Sequence, residues 1–439
     1  MKIIYHNSST VSIIENNTRI VCDPWILDGE YYGSWFHYPK YEIDNGIFDC
    51  NAIYISHIHG DHLSENSLRK FDKNIPIYIH NYKSPFVKIK LTVIGFKNII
   101  ELDHSKSVKI GDIDLTIYSA DNCNPELCGK FVGCSKVEDD FEFTQIDSLA
   151  LFKSRINNKT ILNLNDCPFE LASEVIKKHF LNKLKINLLL VGYAGAGPYP
   201  QCFKFENDDL KLKAAESKKQ MFINQAVKFI DLIDPEYYMP FAGTYILGGR
   251  NYKLNKFRGV PTRNHALDLI AKNIKTESKG FILKSNNDFN FDKLPDYKII
   301  EKPEKYINDI KDFKYSYEED ELPLFNEIKN LINKSVNRYN NVRESIKYSS
   351  NVLLVFEVYD KFIVVSNKKE EFKILNSLEF NKIKKYVKLK MDPRLLKNCM
   401  MGPRYGHYDN AEIGSHIEYD RYPNEYERAL YYCLNFFHI

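Results

Sequence analysis

A chain of 439 residues, 44% of them hydrophobic and 27% charged, is long enough for two domains and ordinary in composition for a globular protein. Its 61 Lys and Arg against 58 Asp and Glu leave a formal net charge of +3, too balanced to point to a nucleic acid as partner. No run approaches the roughly 18–20 apolar residues of a membrane span, the N-terminal segment lacks a signal-type apolar core, and nine scattered cysteines suit a reducing, cytoplasmic setting.

Residues 1–120 read as short strands and turns: "KIIYHN", "TVSIIEN", "TRIVCDPW", "NAIYIS", "IPIYIH" and "IDLTIYSA". Each is rich in β-branched or aromatic residues and bounded by Asn, Asp, Gly or Pro. Asn16-Asn17 suits a hairpin turn between the second and third. From about residue 145 strands and helices alternate: "DSLALFKS" and "TILNLND", then the helical "PFELASEVIKKHFLNKL", the buried strand "INLLLVGYAG", the amphipathic "AAESKKQMFINQAVKFIDLI" and the strand "EYYMPFAGTY". Two mostly β halves with helices outside predict a four-layer αββα sandwich over 1–300. Beyond it, "YSYEEDELP" reads as a linker, "LFNEIKNLINKSVNRY" as a helix and "NVLLVFEVYD" with "KFIVVSN" as a hairpin. These predict a small α+β accessory domain over 301–439.

The chemistry concentrates in "NAIYISHIHGDHLSEN", where His57, His59, Asp61 and His62 follow an apolar strand. Imidazole nitrogen suits Zn, Fe or Mn, and Asp adds a hard anionic oxygen. His57 and His59 alternate as strand-end residues do and so point one way. Gly60 is expected to turn the chain at positive φ and bring Asp61 and His62 to an adjacent position. Four ligand-type residues in this register favour a metal site over incidental histidines.

His-x-His-x-Asp-His after a strand resembles the metallo-β-lactamase superfamily, largely metal-dependent hydrolases with an αββα sandwich. "YHNSST" and "VCDPWILDG" resemble its opening strand and the Asp-Pro-Trp segment after the second hairpin. "NLNDCPF" puts Asp166 where that superfamily carries a metal-bridging aspartate. More narrowly, "GSWFHYP", "YISHIHGDHLS", "NLNDC", "YAGAGPYPQCF" and "YYMPFAGTY" are similar to the metallo-β-lactamase-like part of the CMP-N-acetylneuraminate hydroxylases, over about residues 1–250. That family also carries a Rieske domain, whose Cys-x-His and Cys-x-x-His pairs are not found here. "CNPELCGKFVGC" (Cys123, Cys128, Cys134) has no histidine, so no Rieske cluster is expected. Two further family ligands are missing: "TIYSADNCNPE" offers Asp121 instead of a histidine, and "MPFAGTYILGG" has Phe241 and Ala242 where the last metal histidine would stand.

Other residues carry weaker signals. His37 in "GSWFHYP" matches the family and is expected to overhang the metal cleft, as a substrate or metal contact or as a surface histidine. His6 reads as a core or supporting histidine. The glycine-rich "GYAGAGPYP" with Tyr193 suits either an anion contact or a packing turn. The basic "GGRNYKLNKFRGVPTR", with Arg250 and Arg258, suits an anionic substrate or a solvated loop. Near the C-terminus His407, Asn410, Glu412 and His416 crowd one segment. It either folds back to complete the active site, with His407 and His416 replacing the missing ligands, or caps the sandwich.

The expected metal ligands are thus His57, His59, Asp61, His62, Asp166 and Asp121, with Asp61 and His37 as catalytic candidates. Arg250, Arg258, Tyr193, His407 and His416 are the candidates for substrate contact. A divalent ion (zinc, or iron or manganese) would activate water for hydrolysis of a small anionic, sugar- or nucleotide-like substrate. An iron-dependent oxygenase and a non-catalytic binding protein with a degenerate site are the alternatives.

Overall fold

Short, largely buried strands build two facing sheets in a computed structural model that describes residues 1–82, 85–119, 147–296, 299–300, 302–366 and 371–439. The expectation at Asp121 and the cysteines 123, 128 and 134 lie outside the described residues. The chain opens with β1 (Lys2–Asn7), β2 (Thr10–Glu15), β3 (Thr18–Cys22), β4 (Trp35–His37), β5 (Ala52–Tyr54), β6 (Ile77–His80) and β7 (Ile99–Leu102). It continues with β8 (Ser107–Ile110), β9 (Ile113–Ser119), β10 (Ser148–Ser154), β11 (Thr160–Asn163), β12 (Leu188–Gly192), β13 (Tyr237–Phe241), β14 (Tyr245–Leu247), β15 (Lys279–Gly280) and β16 (Asn287–Phe289). One sheet runs β16-β1-β2-β3-β5-β6-β7 and the other β15-β13-β12-β11-β10-β9-β8.

Residues one apart face opposite sides of a strand. Leu188 and Leu190 therefore join Ile3, Ile13, Tyr54 and Phe152 in the core between the sheets. Their neighbours Leu189 and Val191 instead pack outward on the helices Phe169–His179, Asp208–Ile233 and Arg263–Asn273. On the other outer face Ile53, Ile77 and Ile79 meet Val87 and Leu91 of the helix Phe86–Ile94. Burial on both faces explains why the parallel strands β5, β6, β11 and β12 read as continuous apolar runs. The result is the expected αββα sandwich, with each fully buried Leu or Ile contributing roughly 1.5–3 kcal/mol.

The Asn16 turn forms, with φ of 50°, between paired β2 and β3. The small sheet joining β4 to β14 escapes the sequence pattern, because three-residue strands show no periodicity. Its pairing sets His37 opposite Tyr245.

A second core surrounds a five-stranded sheet. β17 (Leu353–Val358), β18 (Lys361–Val365), β19 (Phe372–Leu375), β20 (Tyr386–Lys390) and β21 (Glu418–Tyr422) take the order β19-β18-β17-β20-β21. The helices Phe325–Ser345, Pro393–Met401 and Arg428–Leu434 pack on it. Tyr419 exchanges backbone hydrogen bonds with Cys202 and Lys204, each 2.8 Å, which ties this sheet to the loop after β12. No helix among the described residues is long and apolar enough to cross a membrane.

Candidate metal centre

The His-rich loop leaves the C-terminal end of β5 and turns at once. Both His62 and Leu63 donate backbone N–H to the His59 carbonyl, at 3.0 and 2.7 Å, and Ser64 then caps the short helix Glu65–Leu68. Gly60 is needed here for a different reason from the one expected. Its φ is not among the positive values; instead Glu30 Oε2 lies 2.7 Å from where a Cβ would stand. A Cβ here would force the neighbouring Glu30 carboxylate to shift, so local space rather than a positive φ bears on this glycine.

Asp166 arrives from the end of β11, where Asn165 adopts φ of 48° and donates Nδ2 to Ser148 O at 2.8 Å. The two loops therefore meet across the ends of the facing sheets. His57 Nε2 and His59 Nδ1 lie 2.8 Å apart. His62 Nε2 is 3.5 Å from both Asp61 Oδ2 and Asp166 Oδ2. That nitrogen is buried and makes no hydrogen bond. Its spacing from the two oxygens is close to the about 3.4 Å between two ligands held tetrahedrally at about 2.0–2.1 Å from a metal.

Behind each histidine stands a carboxylate on the opposite ring nitrogen. Asp23 Oδ2 faces His62 Nδ1 at 2.8 Å, Asp147 Oδ1 faces His57 Nδ1 at 3.0 Å, and Asp409 Oδ2 faces His59 Nε2 at 3.4 Å. Such outer carboxylates orient metal-ligating imidazoles and raise their basicity. Ser56 donates both its N–H and its hydroxyl to the Asp23 carboxylate at 2.7 Å, and its Oγ lies 2.9 Å from His57 Nδ1. Two overlapping sets of side chains have the closeness a cation needs: His57, His59 and Asp147, and His57, His62 and Asp166. His59 and Asp166 are about one-third exposed, so the cluster opens on that side.

The electrostatics point the same way. Burial opposes charge on His62, but Asp166, Asp61 and Asp23 outweigh it and hold its pKa well above the usual range. Burial, then the neighbouring His62 and His59, push His57 well below it. Burial also opposes charge on His59, yet the Asp409 carboxylate raises its pKa to about 9. Burial alone lifts Asp147, whereas Asp166 falls below its ordinary value because His62 overcomes the cost of burial. Five carboxylates around three imidazoles carry excess negative charge in a largely buried site, and a divalent cation is the natural complement. The donor set fits a metal.

The structure places the other expected site residues elsewhere. His37 is buried, with Nδ1 2.7 Å from Asp28 Oδ1, Nε2 2.9 Å from the Trp25 carbonyl and its ring stacked on Trp25. Both nitrogens are engaged away from the cluster, so the expected overhanging loop is corrected to a packed one. His416 pairs with Tyr317 Oη at 3.0 Å and with the Tyr31 carbonyl at 2.8 Å. The backbone N–H of His407 donates to Tyr32 Oη at 2.8 Å. His416 thus has both ring nitrogens engaged away from the cluster, and neither histidine belongs to the two described sets of closely spaced ligand groups. Both grip a loop in which Tyr31 and Tyr32 hold positive φ of 52° and 62°, costly for aromatic residues. That loop matters because Tyr31 Oη donates to Asp61 Oδ1 at 2.5 Å. Arg250 pairs at the junction with Glu318, Asp392 and Tyr317. Arg258 and Tyr193 line a separate cavity.

Residues the sequence reading did not single out are therefore Asp23, Asp147, Asp409 and Tyr31. A signal existed for Asp23 and Asp147: each is a carboxylate abutting an apolar strand, β3 and β10. Nothing local marks Asp409.

No family model matches the chain. Among curated proteins, a putative Rieske 2Fe-2S iron–sulfur protein of Mycolicibacterium smegmatis is 26% identical over 51% of this chain and 40% of its own length. The inactive cytidine monophosphate-N-acetylneuraminic acid hydroxylase of Homo sapiens is 24% identical over 62% of this chain and 51% of that protein. The corresponding hydroxylase of Gorilla gorilla gorilla is 22% identical over 62% and 42%. The chain thus spans about half the length of the curated relatives it matches. Among solved structures, an isothiocyanate hydrolase from Delia radicum gut bacteria covers 66% of this chain and 99% of its own at 13% identity and TM-score 0.45. The diiron β-hydroxylase CmlA of Streptomyces venezuelae covers 66% and 54% at 11% identity and TM-score 0.39. The similarity to the CMP-N-acetylneuraminate hydroxylases expected from the motifs is found.

Proposed function

We propose that this chain is a metal-dependent hydrolase whose sandwich, residues 1–300, binds a divalent ion through His57, His59, Asp61, His62 and Asp166. Residues 301–439 act as an accessory unit that supplies Asp409. One observation carries the reading: His62 Nε2 is buried without a hydrogen bond, between two carboxylates at ligand separation. Bound there, a divalent ion supplies Lewis-acid charge and lowers the pKa of its water from 15.7 toward about 7.

The chain's own residues set up that site. Asp23 accepts the Nδ1–H of His62 and fixes the tautomer whose Nε2 lone pair faces Asp61 and Asp166. Tyr31 occupies Asp61 Oδ1 and leaves Oδ2 toward the same centre. Trp25, Trp35 and Ile413 pack around Tyr31 and exclude water from that side. The partly exposed edge at His59 and Asp166 leaves room for a small anionic ester, lactone, amide or phosphodiester.

A second reading, an iron-dependent oxygenase, is favoured by the hydroxylases among the relatives and by a carboxylate-rich donor set that accepts iron as readily as zinc. Elemental mass spectrometry of purified wild type and His62→Ala separates the readings. Zinc or manganese lost in the variant, with turnover of lactones or phosphodiesters, supports the hydrolase. Iron with oxygen-dependent turnover selects the oxygenase. Absence of metal after reconstitution overturns both and leaves a binding protein.

A further inference from the structure

Away from the His cluster, a cavity of about 520 Å³ opens between β14, the segment Gly249–Phe257 and the start of the helix Arg263–Asn273. Its volume lies in the range of small-molecule sites. Arg258 lines it and is only 8% exposed. A guanidinium has five N–H donors. Here Nη1 donates to the Tyr245 carbonyl at 2.6 Å, while Nε is buried and makes no hydrogen bond. The guanidinium lies over the Tyr245 ring, 4.1 Å from its centroid. That contact compensates part of the charge and holds the plane in place.

No described carboxylate pairs with Arg258, and the cation beside it has none either. Lys218, 9% exposed, donates to the Gly197 carbonyl at 2.9 Å and to no other described residue. Burial and then the Arg258 charge lower its pKa to about 7. The acidic residue of the lining, Glu304, is exposed, and Arg263, Lys253 and Lys256 also contribute to the walls. A buried cation needs a counter-charge, and the described residues provide none. Tyr245 connects the two places: burial raises the pKa of its hydroxyl, the Arg258 charge opposes that rise and the Asp61 charge adds to it.

We propose that this cavity is a binding site for a phosphate or carboxylate group, held side-on by Nε and Nη2 of Arg258. That edge of a guanidinium matches two oxygens of such an anion at once. The role of the site as an anchor for the anionic end of a substrate rests on the metal-dependent reading above; the binding of the anion does not.

The test is calorimetric titration of wild type, Arg258→Lys and His62→Ala with inorganic phosphate and, separately, with acetate. Lysine keeps the charge and loses the fork. Saturable binding of either anion at about millimolar concentration or below, weakened about tenfold or more in Arg258→Lys and retained in His62→Ala, supports the site. Which anion binds more tightly identifies the group. Binding that survives in Arg258→Lys and vanishes in His62→Ala puts the anion on the His cluster and overturns the proposal, as does no saturable binding in wild type. Should Arg258→Lys not fold, phenylglyoxal labelling of wild type followed by peptide mass spectrometry decides. Phosphate or acetate must protect Arg258 from modification, and lack of protection overturns the site.

Discussion

Asp409 Oδ2 lies 3.4 Å from His59 Nε2, so a carboxylate from the short helix Tyr408–Ile413 backs a histidine of the N-terminal sandwich. The same segment holds the sandwich at three further points. His407 bonds Tyr32, the Ile413 carbonyl accepts from Trp35 Nε1 at 3.0 Å, and His416 bonds the Tyr31 carbonyl. The C-terminal residues are part of the centre's architecture rather than a cap laid over it.

Asp409→Asn is therefore expected to weaken metal binding while leaving the fold intact. Removing a carboxylate behind a metal-ligating histidine typically costs about 10–100-fold in affinity. The check is competition with a chelator of known affinity, alongside far-ultraviolet circular dichroism. Equal affinity in variant and wild type would mean that Asp409 only touches His59.

The spatial argument for Gly60 gives a paired prediction. A Cβ there meets Glu30 Oε2 at 2.7 Å, and Glu30 is held by Ser64 Oγ at 2.5 Å. Gly60→Ala should destabilise by about 1–3 kcal/mol through overpacking. Gly60→Ala in a Glu30→Ala background should cost much less, because the obstructing oxygen is gone. Urea unfolding of the four proteins measures the coupling. Additive losses would place the cost in the backbone instead.

Tyr31 is 5% exposed and donates to a carboxylate. Tyr31→Phe keeps the packing against Trp35 and removes that hydrogen bond. A loss of about 1.5–3 kcal/mol is expected, the range for bonds to charged groups, together with weaker metal binding through a freer Asp61. A stability loss within error of zero would show that the bond does not persist in solution.

Much of this was legible in the sequence, for identifiable reasons. β-Branched and aromatic residues bounded by turn formers exposed β1, β2 and β9, and a continuous apolar run exposed β12, because each records burial in a sheet. His57 to His62 stood out because ligand types crowd one loop. The partners behind them were harder. Asp409 and His59 meet only through tertiary packing, and no local pattern encodes that encounter. His37 illustrates the reverse failure: the loop matches a family, yet Asp28 Oδ1 and the Trp25 carbonyl engage both its nitrogens. Gly60 was the right residue with the wrong cause, since a sequence does not reveal which side chain will press against a missing Cβ.

The grip of His416 should make the protein sensitive to acid. Burial, opposed by the hydrogen bond to the Tyr31 carbonyl and aided by the Arg250 charge, lowers its pKa from 6.5 to about 4. Tyr317 holds the other nitrogen, and Asp392 is the nearby acid that partly offsets Arg250. In the folded state the ring stays neutral between pH 6.5 and 4, while in the unfolded state it takes a proton. The unfolded state therefore binds more protons over that window, and stability falls as the pH falls through it. From pH 7 to pH 5 the contribution of this residue is about 2 kcal/mol. His416→Gln keeps a polar side chain and abolishes the titration. Its stability at pH 7 should be lower than that of wild type, but the further loss on going to pH 5 should be smaller by about 2 kcal/mol. Other buried histidines, such as His6 with its pKa lowered to about 4 by burial, contribute equally to both proteins and cancel in the difference. Urea midpoints at the two pH values measure it. Parallel losses in the two proteins would mean that His416 remains free to take a proton in the folded state, and that the clamp on Tyr31 is open in solution.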